Sequence, residues 1–223
     1  MNKTCGIIAE YNPFHNGHKF HLEAAKRESS AENIVVVMSG NFVQRGEPAI
    51  ICKFVRARAA LLGGADIVLE LPINFATASA EGFARGAVYI LEKSGIIDAL
   101  AFGCENNDLG ILSEIANFLV NETEDFKAAL RANLRQGKSF PVARAAALEQ
   151  FSQEVLVAPN NILAIEYLKA LRKFNSAIVP FGVARKGVGH HGKELVGSFA
   201  SASALRREIL AGNVDSLAAF MPD

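Results

Sequence analysis

The chain has 223 residues, half of them hydrophobic, and its 23 Lys plus Arg balance 23 Asp plus Glu. Eighteen Gly and seven Pro are too few for a collagenous or low-complexity chain, and Cys5, Cys52 and Cys104 are odd in number and widely spaced, which argues against a secreted disulfide framework and fits a reducing cytosol. No apolar run reaches the ~18 residues needed to span a bilayer, and Met1-Asn2-Lys3-Thr4 leads into a strand-like run with no cleavable signal pattern, so a soluble cytoplasmic protein without a membrane partner is expected.

In chain order, residues 4–9 predict a first strand, 17–28 a helix, 34–38 a strand, 53–62 a helix, 67–71 a strand, 78–93 a helix, 99–102 a strand and 108–120 a helix. The strands are continuous apolar runs, which suits strands covered on both faces of a parallel sheet. From 122 to about 151 the chain is Ala-rich and strand-free, predicting two helices within an insertion over about 122–158. Residues 161–174 predict a helix leading into a last strand at 177–183. A Gly- and His-containing loop follows at 186–198, then a helix from 203 to 210 and the start of a C-terminal helical extension after about 207. Strand–helix alternation predicts an α/β fold, a doubly wound, mostly parallel, Rossmann-like sheet with right-handed crossovers and a helical insertion, in one domain over 1–223.

Charge is unevenly spread: residues 1–60 are net +3, 61–130 net −8 and 131–223 net +5. Either the middle helices carry an acidic solvated face, or the two basic ends converge on an anionic ligand.

The segment Ile7-Ile8-Ala9-Glu10-Tyr11-Asn12-Pro13-Phe14-His15-Asn16-Gly17-His18-Lys19-Phe20-His21 holds three of the five histidines directly after the first predicted strand. Ligands of open parallel sheets bind beyond the carboxyl ends of strands, and a helix start favours phosphate there. Imidazoles at His15 and His18 could donate to phosphate oxygens and stabilise the charge that grows on a departing pyrophosphate. Two other uses compete: the rings could simply cap the helix, or His15, His18 and His21 could hold a metal. No nearby carboxylate or Cys completes a ligand set, so no metal site is expected.

His15-Asn16-Gly17-His18 resembles the H-x-G-H signature of the nucleotidyltransferase superfamily related to class I aminoacyl-tRNA synthetases. Glu10 through His18, followed by Met38-Ser39-Gly40-Asn41-Phe42-Val43-Gln44-Arg45-Gly46-Glu47-Pro48-Ala49, resembles the bacterial tRNA(Met) cytidine acetate ligase family more narrowly, and the likeness runs from Cys5 to Arg206. The resemblance implies an ATP-binding domain that forms acetyl-adenylate from ATP and acetate and then acetylates the wobble cytidine of elongator tRNA(Met). It implies catalytic roles for His15 and His18, and ATP contacts along Ile8, Ala9, Glu10, Tyr11, Asn12, Pro13, Phe14, His15, Asn16, Gly17, His18, Lys19, Phe20 and His21. It adds outlying nucleotide contacts at Gly103, Asn160 and Arg185. A strand-terminal Gly permits close backbone approach, but Gly103 could equally be a turn residue; Asn160 or Asn161 could be a helix N-cap; Arg185 could neutralise phosphate or be an idle loop residue. Ser201, Ser203 and Arg206 resemble the superfamily's second, phosphate-binding signature, with Ala202 where a hydroxyl is usual; a Ser N-cap is the plainer alternative.

Arg45 could meet the acyl group or the tRNA, or shape its own loop with Glu47. Lys53, Arg56 and Arg58 are expected on a solvated basic face. Mg2+ is expected only as the counter-ion of ATP, and no obligate protein partner is evident. An adenylyltransferase acting on a small phosphorylated metabolite and a non-catalytic nucleotide- or RNA-binding module are the alternatives. Relatives in the resembled family continue into a further helical region. The expectation is therefore acetate-dependent AMP formation with little tRNA acetylation by these residues, unless Arg131, Arg135, Lys138 and Arg144 hold the RNA.

Overall fold

The computed structural model describes residues 2–44, 46–105, 108–184 and 200–222. Five strands, β1 Thr4–Ala9, β2 Asn33–Ser39, β3 Ile67–Leu71, β4 Ala99–Cys104 and β5 Val179–Ala184, form one sheet in the order β3-β2-β1-β4-β5. Every neighbouring pair is parallel, as the continuous apolar runs predict. The helices are α1 Asn16–Ser29, α2 Lys53–Leu62, α3 Ile73–Ala76, α4 Ala80–Ser94, α5 Leu109–Val120, α6 Glu124–Arg135, α7 Phe140–Ala146, α8 Gln153–Val157, α9 Pro159–Lys173 and α10 Ala202–Leu210, followed by a 3-10 turn, Asp215–Phe220.

The two-residue period of a strand sends β2 into both halves of the core. Val35 and Val37 pack with Phe83, Leu91, Leu112 and Ile165 under α4, α5 and α9, while Ile34, Val36 and Met38 pack with Leu22, Ala25 and Ala60 under α1 and α2. Each fully buried side chain of this size contributes about 1.5–3 kcal/mol. The result is the α/β Rossmann-like sheet expected from the sequence, its strand order reversing between β1 and β4.

Three boundaries differ from expectation, each for a local reason. Residues 122–151 hold the two expected helices, α6 and α7, parted where Gly137 adopts φ +80°, and a third, the five-residue α8, follows after Ser152. The last strand starts at Val179, not 177: Asn175 adopts φ +48°, Ser176 N–H donates to Leu171 O, and Ile178 N–H donates to Ser176 Oγ, so a turn consumes those residues. An extra turn of helix, α3, fills the space before Ser79, whose Oγ accepts from Gly82 N–H and sets the start of α4.

The insertion has a topological purpose. Both α5 and α9 begin at the carboxyl end of β4, the latter through contacts to Glu105, so α6–α8 carry the chain back across the molecule between them. Among the described residues, no helix is long and apolar enough to cross a membrane.

Candidate functional site

The carboxyl ends of β1 and β4 diverge where the strand order reverses, leaving a crevice between the connections that leave them. Ile7 pairs with Ala101, so Ala9 and Gly103 lie two residues further along adjacent strands, at the floor of that crevice. Ile8 and Ala9 are half-buried there, as is Gly103.

Beyond Ala9 the chain turns tightly, with Tyr11 at φ +49°, and α1 opens at a pair of stacked imidazoles. His15, the N-cap, accepts Gly17 N–H at Nδ1 (3.0 Å), while His18 Nδ1 accepts His15 N–H (3.3 Å). The ring centroids are 3.7 Å apart with 25° between planes. This is a reciprocal capping box in which imidazoles replace the usual Ser/Thr and Glu/Gln. Because each Nδ1 accepts, the hydrogen-bond network assigns the proton of the neutral ring to Nε2. The helix-capping alternative raised by the sequence is therefore realised at Nδ1, and it does not compete with donation from Nε2. No acidic residue occupies the first turn of α1, so the partial positive charge of the helix start is uncompensated from within the helix.

The neighbouring side chains hold this turn in place. Tyr11 is buried, edge-on to Phe14 (4.9 Å, 84°) and 4.8 Å from the His18 ring, and burial pushes its phenol well above the ordinary range, so it stays neutral. Phe14 points into the core against Gly63, where an added Cβ would stand 2.5 Å from its ring. Glu10 Oε1 accepts Gln44 N–H (2.9 Å) and Asn12 Oδ1 accepts Ile50 N–H (3.0 Å), joining the loops after β1 and β2. Pro13 is buried, Lys19 is exposed, and Phe20 and His21 are half-buried one turn further along α1.

The second signature docks on the first. Arg206 donates to Asn12 O (2.8 Å) and to Ser203 Oγ (3.1 Å), and Asn16 Nδ2 donates to Ala219 O (3.0 Å). Ser201 is the N-cap of α10, its Oγ accepting Ala204 N–H (3.1 Å), and again the first turn holds no acid.

At the far side of the crevice, neither Asn160 nor Asn161 is an N-cap. Ala158 holds that position, Pro159 opens α9, and the Glu105 carboxylate accepts from Asn160 N–H and Nδ2 (3.3 and 2.6 Å) and from Asn161 N–H (3.1 Å). Asn161 is turned inward, accepting Glu105 N–H and donating to Val155 O. Sequence reasoning did not single out Glu105; an acid directly after a strand end was the available signal. Arg45 and Arg185, and the loop expected at 186–198, lie outside the described residues.

Arg56 is the clearest departure from expectation. It is 1% exposed, whereas its neighbours Phe54 and Val55 are 73% and 57% exposed, the inverse of an amphipathic helix. Its guanidinium donates to the carbonyls of Ile51, Glu10, Ser39 and Gly40. Burial pulls its pKa down, opposed by the charges of Glu10, Cys52 and Glu70. Lys53 instead pairs with Glu70 (2.6 Å), and Arg58 is exposed. Arg144 is committed to the buried Glu166, which also meets Lys169 (2.8 Å), so of the four cations singled out above only Arg131 and Arg135 are exposed, Lys138 being half-buried against Asn133. Among the described residues no group of three or more His, Cys, Asp or Glu could hold a metal ion.

A family model for HIGH nucleotidyl transferases matches residues 2–223. A protein of Acetivibrio thermocellus named tRNA(Met) cytidine acetate ligase is 47% identical over 99% of this chain and 55% of its own length. One of the same name from Caldanaerobacter subterraneus subsp. tengcongensis is 48% identical, over 99% of this chain and 56% of its own. The chain thus spans about half the length of the curated relatives it matches. Thermotoga maritima TmcAL crystallised with alpha-thio ATP superposes with a TM-score of 0.89 at 38% identity, over 99% of this chain and 53% of the other.

Proposed function

Because the chain belongs to the HIGH nucleotidyl transferase family, we propose that it activates acetate with ATP and, within the whole protein, acetylates N4 of the wobble cytidine of elongator tRNA(Met). The observation that carries this is the imidazole capping box at the start of α1, tied through Asn12 to Arg206 at the start of α10. Two helix starts without first-turn acids, two imidazoles and a guanidinium suit a polyphosphate, and a structural relative crystallised with an ATP analogue supports placing it there.

An acetate oxygen attacks the α-phosphorus of ATP, the bond to the bridging oxygen breaks, and pyrophosphate leaves with the electron pair. His15 and His18, donating from Nε2, stabilise the charge that accumulates on the phosphates, and Arg206 with Ser201 and Ser203 closes the second side. The cytidine N4 then attacks the acetyl carbon, AMP departs, and the nitrogen loses a proton to solvent. No covalent enzyme intermediate is needed, because placing the reactants supplies the acceleration. Residues 8–21, Gly103, Asn160 and Arg185 are the proposed ATP contacts. Of these, Phe14 acts through packing, since its ring faces the core. Mg2+ is proposed to enter with ATP as its counter-ion, because it keeps most of its waters and binds through substrate phosphates. The domain proposed is the ATP-binding unit over 1–223, and the protein is proposed to work in the cytoplasm.

Incubation with ATP, acetate and total bacterial tRNA, read by AMP release and nucleoside mass spectrometry, tests the proposal. Acetate-dependent AMP is the expected outcome. Turnover that instead requires a phosphate-bearing metabolite would assign an adenylyltransferase, and ATP binding without AMP under any mixture would assign a binding module.

A further inference from the structure

We propose that Arg56 is a positioning residue that fixes the loop after β1 against the loop after β2, and so sets the nucleotide against the second substrate; this rests on the adenylate-forming reading above. A buried cation is costly, and among the described residues no carboxylate lies within ion-pair distance of this one. Four backbone carbonyls hold it instead, drawn from three separate stretches of chain: Glu10 beyond β1, Ser39 and Gly40 at the end of β2, and Ile51 just before α2. Packing alone would be served by Met or Leu at that point. A rigid planar fork is what allows one side chain to donate to several carbonyls at fixed angles, and Lys cannot reproduce it.

The two loops that this fork joins have different contents. The first carries Glu10 to His18, ending in the imidazole pair. The second begins at Gly40 and borders a cavity of about 130 Å³ lined by Gly40, Asn41, Phe42, Glu70, Leu71 and Ile73. Only two other hydrogen bonds described above cross between the loops, Gln44 N–H to Glu10 Oε1 and Ile50 N–H to Asn12 Oδ1, the first of them made by the residue whose carbonyl Arg56 holds. Reacting groups misplaced by about 1 Å lose roughly 100-fold in rate even when each still binds. Arg56 therefore governs the rate of the bound complex more than the affinity for ATP.

The experiment compares the parent with Arg56→Lys and Arg56→Met, using three readouts: ATP affinity by equilibrium dialysis, acetate-dependent AMP formation at saturating substrates per folded molecule, and amide hydrogen exchange. The expected result is an ATP Kd within threefold of the parent and a rate lowered about 100-fold in both variants. Exchange at Gln44 and Ile50 should be faster by tenfold or more while Val35–Val37 are unchanged. Rates per folded molecule within threefold of the parent, or exchange accelerated uniformly through the sheet, would overturn the proposal by reducing Arg56 to a general stabiliser. Failure of both variants to fold would overturn it too, since the guanidinium would then be needed for the fold itself. If the parent forms no acetate-dependent AMP, the functional proposal fails instead, and the exchange pattern alone decides whether Arg56 locks the loops.

Discussion

At α1 the chain closes the helix start with two imidazoles, whereas at α9, at the same end of the sheet, it closes the helix start with the carboxylate of Glu105 brought from the end of β4. Both arrangements satisfy N–H groups that a helix leaves unpaired. They differ in charge. A carboxylate neutralises the positive end of the helix dipole, so α9 already carries its anion, while neutral imidazoles leave α1 able to receive one. The start of α10, capped by the Ser201 hydroxyl, belongs with α1. Two ends of one crevice are thus chemically sorted: phosphate chemistry suits the α1–α10 side, and Asn160, beside a carboxylate, suits a ribose or base contact.

The contrast is most severely tested at His18. His18→Ala should remain folded by circular dichroism yet lose about 100–1000-fold in AMP formation, the roughly 2.7–4 kcal/mol that one preorganised donor contributes. A folded variant within threefold of the parent would make α1 an ordinary capped helix. A smaller effect is expected when α1 is made to resemble α9. Asp is an excellent N-cap, so His15→Asp should keep thermal stability within about 1 kcal/mol, but its negative charge beside the phosphates should weaken ATP binding about 30-fold, near 2 kcal/mol in a partly exposed site. Unchanged affinity in dialysis would erase the distinction between the two helix starts. The reverse change at α9 should be felt first in stability: Glu105→Gln removes a charged acceptor of several bonds and is expected to cost about 1.5–3 kcal/mol in urea denaturation. An unmoved midpoint would show that the carboxylate caps nothing of consequence.

The strands were legible because a parallel sheet buried on both faces demands unbroken apolar runs, and chemistry on α1 was legible because three histidines stand together after the first strand. Arg56 was not. Its neighbours Phe54 and Val55 suggest that an apolar face should be buried and the cations solvated, yet the strand-end carbonyls invert that order at one position. Hydropathy patterns register side chains, and they are blind to backbone acceptors that fold into place around a cation. Glu105 escaped for a related reason, since its partners are the N–H groups of a helix starting more than fifty residues later. The insertion was legible as helical, its first two helices included, but α8 was not, because five residues after Ser152 leave too short a pattern to register.

The return path built by α6–α8 also bears on the order of assembly. Pairing β4 with β5 brings together chain ends separated by residues 105–178, about three times the separation between β1 and β2. At equilibrium this matters little, since closure entropy rises only about 0.6 kcal/mol per doubling of length. In time it matters more, because contacts distant in sequence form slowly, and among the described residues β5 pairs with β4 alone. We expect pulse-labelled refolding to protect β1 and β2 amides first and Val183 last, with simultaneous protection arguing otherwise. On that order the imidazole turn would be built while the sheet still lacks an edge, and the strand that leads towards Arg185 would arrive as the closing piece.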